Sequence, residues 1–202
     1  MDSLEKKLSQ AIWIGKSLFE RNKVSGSSAN MSFLHDNKIY ITGSGTCFGN
    51  LDKDDFSVVS REGNFISGKK PSKELPLHKI LYDNKENIQA IIHTHSFYST
   101  IWSSIEHEED DDCIPRYTPY LSMKIGKIGL VDYAPPGSNE LFKLFENNVA
   151  KSDGYILKNH GPVVGHKNLM EAFYALEELE ESAKIAWYFK VNNSKIEVKI
   201  ID

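Results

Sequence analysis

Hydrophobic residues recur at helical spacing in two long stretches of the chain. The first carries Leu4, Leu8, Ile12 and Leu18, which predicts an amphipathic opening helix. The second predicts the longest helix, since its apolar residues recur every three or four positions, at Leu169, Ala172, Phe173, Leu176, Leu179 and Ala183. Asn168 is predicted to cap this helix, and its glutamates at 177, 178, 180 and 181 are interpreted as a solvated face.

Short apolar segments bounded by turn residues predict strands. They lie at 31–34, 38–41, 56–59, 89–95, 130–133, 155–157 and 194–201. The first two flank His35-Asp36-Asn37 and suggest a hairpin, and two further helices are predicted at 74–82 and 140–149. Because helices and short strands alternate and turns join many strands, the sequence predicts α/β layers around a largely antiparallel or mixed sheet.

Composition places the chain among ordinary globular proteins. Its 202 residues, 40% hydrophobic and 26% charged, predict one domain over 1–202. The formal net charge of −4 argues against a broad nucleic-acid surface, and the two cysteines are expected to be reduced thiols. No apolar run approaches the length of a membrane span and the N-terminus does not resemble a signal peptide, so we expect no membrane partner and a cytoplasmic location.

The strongest chemical signal is His93-Thr94-His95, within a predicted strand. Residues two apart on a strand point to the same side, so both imidazoles can face one point. Alone this pair is a weak indication of a metal site. A third histidine, His160, follows the predicted strand 155–157, and Gly161-Pro162 is interpreted as the turn that holds it.

Three histidines with an open fourth position are typical of a catalytic rather than a structural zinc site. The other histidines, at 35, 78, 107 and 166, have no such companions and are interpreted as surface or helix residues.

Glu74 stands at the start of a predicted helix, and two interpretations are open. It can act as a helix cap near the positive end of the dipole, or as a general acid/base beside a metal. Three neighbouring segments could bind an anion through hydroxyls, backbone N–H groups or a cation. They are 25–30, 42–46 and Ser72-Lys73.

Five segments, taken in order, resemble the motifs of the class II aldolase/adducin family over nearly the whole chain. They are Asn30-Met31-Ser32, Ile41-Thr42-Gly43-Ser44-Gly45, Pro71-Ser72-Lys73-Glu74 followed by Pro76-Leu77-His78 and Tyr82, the segment 90–96 and the segment 159–165. The resemblance implies a three-layer α/β/α sandwich, usually a fourfold homotetramer with active sites between subunits.

The same resemblance assigns roles to single residues. It implies a divalent metal, zinc in the first place, at His93, His95 and His160, with Glu74 as the acid/base. It implies substrate-phosphate contacts, and these fall at Asn30, Ser44, Gly45, Ser72 and Lys73. Tyr120 resembles the tyrosine that reaches into a neighbouring subunit's site in fuculose phosphate aldolase.

One departure from the family pattern directs the functional hypothesis. Lys73 replaces the second serine of Ser-Ser-Glu. The segment Pro-Ser-Lys-Glu resembles the branch of the family that decarboxylates a 3-oxo-tetronate 4-phosphate, and so do the later segments 118–126 and 133–137. The function this implies is a metal-dependent carbon–carbon lyase acting on a small phosphorylated sugar acid. The alternatives among enzymes are a sugar-phosphate aldolase, a methylthioribulose-phosphate dehydratase and a ribulose-phosphate 4-epimerase, although Glu74 argues against the epimerase, which resembles this pattern with Asp at that place. From a different class, the alternative is an adducin-like interaction module, which lacks the metal histidines.

The two lyase chemistries share an intermediate. An aldolase removes a proton from dihydroxyacetone phosphate, and a decarboxylase removes CO2 from a β-keto acid, and both leave the same enediolate. A cation chelated by the ketone and hydroxyl oxygens would stabilise that charge as a Lewis acid, and Glu74 would protonate the carbanion.

Overall fold

The computed structural model describes residues 3–192, which form an eight-stranded sheet with helices on both faces. The strands are β1 (Asn30–His35), β2 (Lys38–Thr42), β3 (Phe56–Ser60), β4 (Phe65–Gly68), β5 (Ala90–His93), β6 (Ile128–Val131), β7 (Gly154–Leu157) and β8 (Gly161–His166). They lie in the order β4-β3-β2-β1-β5-β8-β7-β6. β6 and β7 run parallel and the other neighbouring pairs are antiparallel, which confirms the predicted sheet.

Helices cover the sheet on two sides. They are α1 (Leu4–Glu20), α2 (Leu75–Asn84), α3 (Phe97–Ser103), α4 (Tyr120–Lys124), α5 (Asn139–Asn148) and α6 (Leu169–Asn192). One hydrophobic cluster joins α1, α3, α4 and α6 to the sheet, and a second joins α2 and α5 to it. Neighbouring strand residues divide between these clusters, as Ile91 and Ile92 do, because successive side chains point to opposite faces. The predicted α/β/α sandwich is confirmed.

Most elements predicted from periodicity are present with ends shifted by a few residues. The hairpin is confirmed: His35 pairs with Lys38, and Asp36 and Asn37 form the turn at φ 46° and 58°. Asn168 caps α6 through a bond from the Glu171 N–H of 2.9 Å. The strand predicted at 194–201 lies outside the described residues. Within residues 3–192, no helix has both the length and the apolarity that crossing a bilayer requires.

The turn predicted at Gly161-Pro162 is wrong, because both residues begin β8. The chain reverses just before them, at Asn159, whose φ is 56°. Gly161 has φ 152°, and a Cβ there would lie 2.2 Å from the carbonyl oxygen of Thr94. A side chain at this position is therefore excluded by the close approach of β8 to the residues that follow β5.

The solvated face predicted for α6 is wrong at Glu180, which is only 1% exposed. Its carboxylate accepts hydrogen bonds from the backbone N–H groups of Tyr98 (3.0 Å) and Ser99 (2.9 Å), and from the Ser99 hydroxyl (2.6 Å). These N–H groups belong to the first turn of α3, which has no partners for them within the helix. Glu180 thus caps α3 from a distant helix and complements its dipole.

We expect Glu180→Ala to lower the free energy of unfolding by about 1–3 kcal/mol, because the α3 N–H groups would be left buried without acceptors. Urea denaturation measures this change. Glu181→Ala is the matched control on the exposed side of the same helix, with an expected effect within about 0.5 kcal/mol. Equal losses in the two variants would contradict the capping role.

Candidate metal centre and active site

The structure brings the three predicted histidines to one point. The ring centroids are 5.1 Å apart for His93 and His95, 4.8 Å for His93 and His160, and 4.6 Å for His95 and His160. One potential ligand atom from each ring lies within 4.8 Å of the others. The sequence predicts that His93 and His95 converge because they lie two apart on one strand. In the structure, β5 ends at His93, and His95 lies in the connection to α3.

The backbone orients the His93 ring. Its Nδ1 lies 2.8 Å from the carbonyl oxygen of Pro162, which can only accept, so Nδ1 carries the proton and Nε2 is left as an acceptor. Burial lowers the pKa of His93 to about 3, with a further contribution from His95. Burial, followed by the neighbouring His93, also lowers the pKa of His160 to about 3. Neutral imidazole is the form that binds metal.

The donor atoms at this point fit a divalent cation. His93 Nε2 lies 3.3 Å from His160 Nε2, and the Glu74 carboxylate approaches both, with Oε2 3.3 Å from His93 Nε2 and Oε1 3.4 Å from His160 Nε2. Within residues 3–192, Glu74 Oε1 is buried without a hydrogen-bond partner. Acceptor atoms crowded in this way are costly unless a cation or protons lie between them.

Glu74 is the residue immediately before α2, and its side chain makes no capping bond to that helix. It is 4% exposed and turns toward the histidines. Asn30 Nδ2 donates to its Oε2 at 2.9 Å. Of the two interpretations from the sequence, the geometry favours the acid/base beside a metal.

Three of the predicted phosphate contacts, Ser44, Gly45 and Ser72, form a rim on two adjoining segments next to Glu74. The bridge between Gly43 and Pro71, and the bond from Ser44 N–H to the Lys70 carbonyl (2.8 Å), bring the exposed loop of Ser44 and Gly45 next to Ser72. The Ser72 hydroxyl accepts from the Glu74 N–H at 3.3 Å. The rim thus presents hydroxyl and backbone N–H groups close to Glu74.

Lys73 adds a positive charge to this rim. It is exposed, and its methylene groups pack beside Gly137, where a Cβ would lie 2.8 Å from Lys73 Cδ. Burial lowers the pKa of His95, and the charge of Lys73 lowers it further, against the opposing effect of Glu74. The ammonium group is therefore within electrostatic range of the metal ligands.

Tyr120 stands apart from the group. It is 58% exposed at the start of α4, and no contact in the described part of the chain joins it to the histidines. Asn30 differs from the other predicted phosphate contacts, because both ends of its amide already have partners within the protein. Its Nδ2 donates to Glu74, and its Oδ1 lies 2.6 Å from His78 Nε2. The roles predicted for these two residues stay predictions.

His78 is the residue of the site wall that the sequence interpretation missed. It lies on α2, as a helix residue should, but it is fully buried, with Nδ1 2.7 Å from the Ser32 hydroxyl. Its signal was the spacing of Glu74, His78 and Tyr82, which are four residues apart and share one helix face. A polar row of this kind on a helix otherwise packed through leucines indicates a buried network.

Comparison with known proteins assigns the chain to a family. Residues 9–187 match the model of the Class II Aldolase and Adducin N-terminal domain. The chain belongs to the class II aldolase/adducin family. The predicted family is thereby confirmed, and the histidine group is the candidate site for the divalent metal of this class II aldolase relative.

Relatives within the family carry two different activities. This class II aldolase/adducin chain is 39% identical over 186 residues to a 3-oxo-tetronate 4-phosphate decarboxylase of Pectobacterium atrosepticum, covering 92% of the chain and 85% of the relative. It is 40% identical over 190 residues to an L-fuculose phosphate aldolase of Methanococcus maripaludis, covering 93% and 99%. Both names describe lyases, and the chain is an enzyme of that class.

A solved structure supports the same assignment. The crystal structure of YgbL from Klebsiella pneumoniae superposes with a TM-score of 0.93 at 33% identity, covering 100% of this chain and 96% of that one. Relatives of both kinds, decarboxylase and aldolase, match this chain at nearly the same identity, 39% and 40%.

We expect His160→Ala to weaken binding of zinc by more than about 100-fold, because loss of an outer partner of a ligand alone costs about 10- to 100-fold. Competition with a chromophoric chelator measures the affinity. His35→Ala is the control, since His35 pairs with Asp36 away from the site. Unchanged zinc affinity in His160→Ala would exclude this residue as a ligand.

Proposed function

We propose that this chain is a divalent-metal lyase that decarboxylates a 3-oxo-tetronate 4-phosphate to dihydroxyacetone phosphate and CO2. The observation that carries the proposal is the position of Lys73, between Ser72 and Glu74 and within electrostatic range of His95 and His160. Relatives named for this decarboxylase, 35–39% identical over most of the chain, support it.

Lys73 matters because the two candidate substrates differ in charge. A 3-oxo-tetronate 4-phosphate carries a phosphate and a carboxylate, whereas fuculose phosphate carries only the phosphate. An ammonium group on the rim, in addition to the Ser44–Gly45 loop and Ser72, provides a cation for the second anionic group. Charge-assisted hydrogen bonds of this type are about twice as strong as neutral ones.

We propose zinc as the ion, held by His93, His95 and His160. When bound, it supplies a Lewis acid that stabilises the negative charge developing on the substrate. Glu74 has its carboxylate against the same histidines, so it is placed to hold a proton and transfer it. Cleavage of the carbon–carbon bond releases CO2 and leaves an electron pair on the substrate, and the proton from Glu74 completes the new C–H bond.

The remaining proposed roles concern the substrate phosphate and the neighbouring subunit. Ser44, Gly45 and Ser72 contact the phosphate from the rim, whereas Asn30, whose amide is engaged by Glu74 and His78, holds the carboxylate of Glu74 instead. Tyr120 acts in a neighbouring subunit's site, which accounts for its exposure in the single chain. We therefore propose a homotetramer, formed from one domain over 1–202, working in the cytoplasm.

A sugar-phosphate aldolase is the second candidate function. The Methanococcus maripaludis aldolase matches over 99% of its own length, and the histidines and Glu74 serve either reaction. Three converging imidazoles beside a buried carboxylate argue against a non-catalytic interaction module, since such a module does not require this group of side chains.

We expect Glu74→Gln to lower kcat by about 100-fold or more, since a positioned acid/base contributes about 10²–10⁴-fold. Zinc content should stay the same, because the three histidines remain. Glu86→Gln, on the exposed surface, is the control and should have full activity. A fully active Glu74→Gln enzyme would remove Glu74 from the mechanism.

We expect Lys73→Ser to raise KM for the phosphorylated sugar acid by about 10-fold or more, because a hydrogen bond to a charged group contributes about 1.5–3 kcal/mol. Steady-state kinetics measure the change, with Lys70→Ser as the control at another exposed lysine nearby. An unchanged kcat/KM in Lys73→Ser would rule out contact of this lysine with the substrate.

The deciding experiment is a coupled assay for dihydroxyacetone phosphate with zinc present. The enzyme is offered 3-oxo-tetronate 4-phosphate and fuculose 1-phosphate in parallel. We expect product, with release of CO2, from the first substrate. Product from fuculose 1-phosphate alone would establish the aldolase and overturn the proposed function.

A further inference from the structure

Five polar side chains are buried together between β1 and α2. Asn30 and Ser32 lie two apart on the strand, so they share a face, and Glu74, His78 and Tyr82 lie four apart along the helix side. None is more than 6% exposed. Elsewhere on α2, Leu77 and Leu81 are buried in the hydrophobic cluster, so this polar row is a local exception.

The hydrogen bonds in this row have one consistent direction. The Asn30 amide nitrogen donates to Oε2 of Glu74 at 2.9 Å, where the carboxyl oxygen accepts. The amide oxygen of Asn30 then faces His78 Nε2 at 2.6 Å, which must be the donor.

The row continues away from the metal site through His78, Ser32 and Tyr82. Burial, followed by the neighbouring His93, lowers the pKa of His78 to about 3, and because Nε2 of the neutral ring is the donor, Nδ1 is an acceptor. Ser32 therefore donates to Nδ1 at 2.7 Å and accepts from the Tyr82 hydroxyl at 2.7 Å. Each donor in the row has one acceptor.

The direction of these bonds decides how Glu74 is held. If His78 Nε2 were an acceptor, the Asn30 amide would be favoured in the opposite orientation and would present its oxygen to the carboxylate. With Nε2 as the donor, Oε2 of Glu74 is held by Asn30. Oε1, which has no donor in the range 3–192, faces His160 at 3.4 Å.

We propose that His78 is a positioning residue for Glu74: its Nε2–H fixes the orientation of the Asn30 amide, which holds Oε2 and leaves Oε1 as the oxygen that faces the substrate. The proposal rests on the proposed role of Glu74 in proton transfer. His78 does not touch the substrate and acts only through Asn30. It therefore influences the chemical step rather than the binding of the phosphate.

The first test reads the ring of His78 directly and does not depend on activity. Long-range ¹H–¹⁵N NMR of the zinc-loaded protein distinguishes the two neutral tautomers of a histidine. We expect His78 to carry its proton on Nε2. A proton on Nδ1 would overturn the proposal, whatever the substrate of the enzyme is.

The second test compares two variants of His78 by exchange of the dihydroxyacetone phosphate hydroxymethyl proton in D2O, a step that decarboxylase and aldolase share. His78→Leu removes the donor, and we expect kcat for exchange to fall by about 10- to 100-fold, as for other outer partners, with KM within about twofold. His78→Gln can donate from its amide nitrogen to Asn30, and we expect it to recover most of the rate.

The outcomes distinguish failure of the proposed function from failure of the positioning role of His78. No exchange by the wild-type enzyme would contradict the proposed function, while the tautomer of His78 would still decide the positioning role. Equally slow His78→Gln and His78→Leu enzymes with unchanged melting temperatures would overturn the positioning role, as would a rise in KM alone. If His78→Leu does not fold, the comparison is made between His78→Gln and His78→Asn, whose shorter amide cannot replace Nε2.

Discussion

The site depends on how closely the first residues of β8 approach the end of β5. Gly161 makes this approach possible because it has no side chain to meet the Thr94 carbonyl. The Pro162 carbonyl then accepts from both Thr94 N–H and His93 Nδ1. With β1 on its other side, where Asn30 lies opposite His93, β5 presents its last side chain between two strands. Sheet pairing therefore positions His93, while His95 and His160 lie in the connections that adjoin β5 and β8.

The two helical layers each add one buried carboxylate to this arrangement. α2, on one face, supplies Glu74, which contacts His93 and His160. α6, on the other face, supplies Glu180, which holds the first turn of α3 directly after His95. The short segment from His93 to Ser99 is thus bonded to both layers as well as to β8. One buried carboxylate from each layer therefore fixes the position of this segment between the two layers.

Periodicity was sufficient for the layers, the hairpin and the longest helix, because those elements bury a regular apolar face. It failed where tertiary contacts decide local structure. The segment 97–103 is rich in aromatic and hydroxyl residues and has weak helix propensity, and it becomes α3 when Glu180 caps it. Gly161-Pro162 has the composition of a turn, but the adjoining strands make it part of β8. The histidine group was found from residue type and order, whereas His78 was missed, since its partner Ser32 is distant in sequence.

The separation of the metal ligands along the chain has a consequence for biosynthesis. His93 and His160 are 67 residues apart, and β8 inserts between two strands that are translated before it. A nascent chain on the ribosome offers at first only His93 and His95, a pair that binds divalent ions less tightly than the full group. The complete histidine group therefore forms only late in translation, after β8 has joined the sheet between β5 and β7.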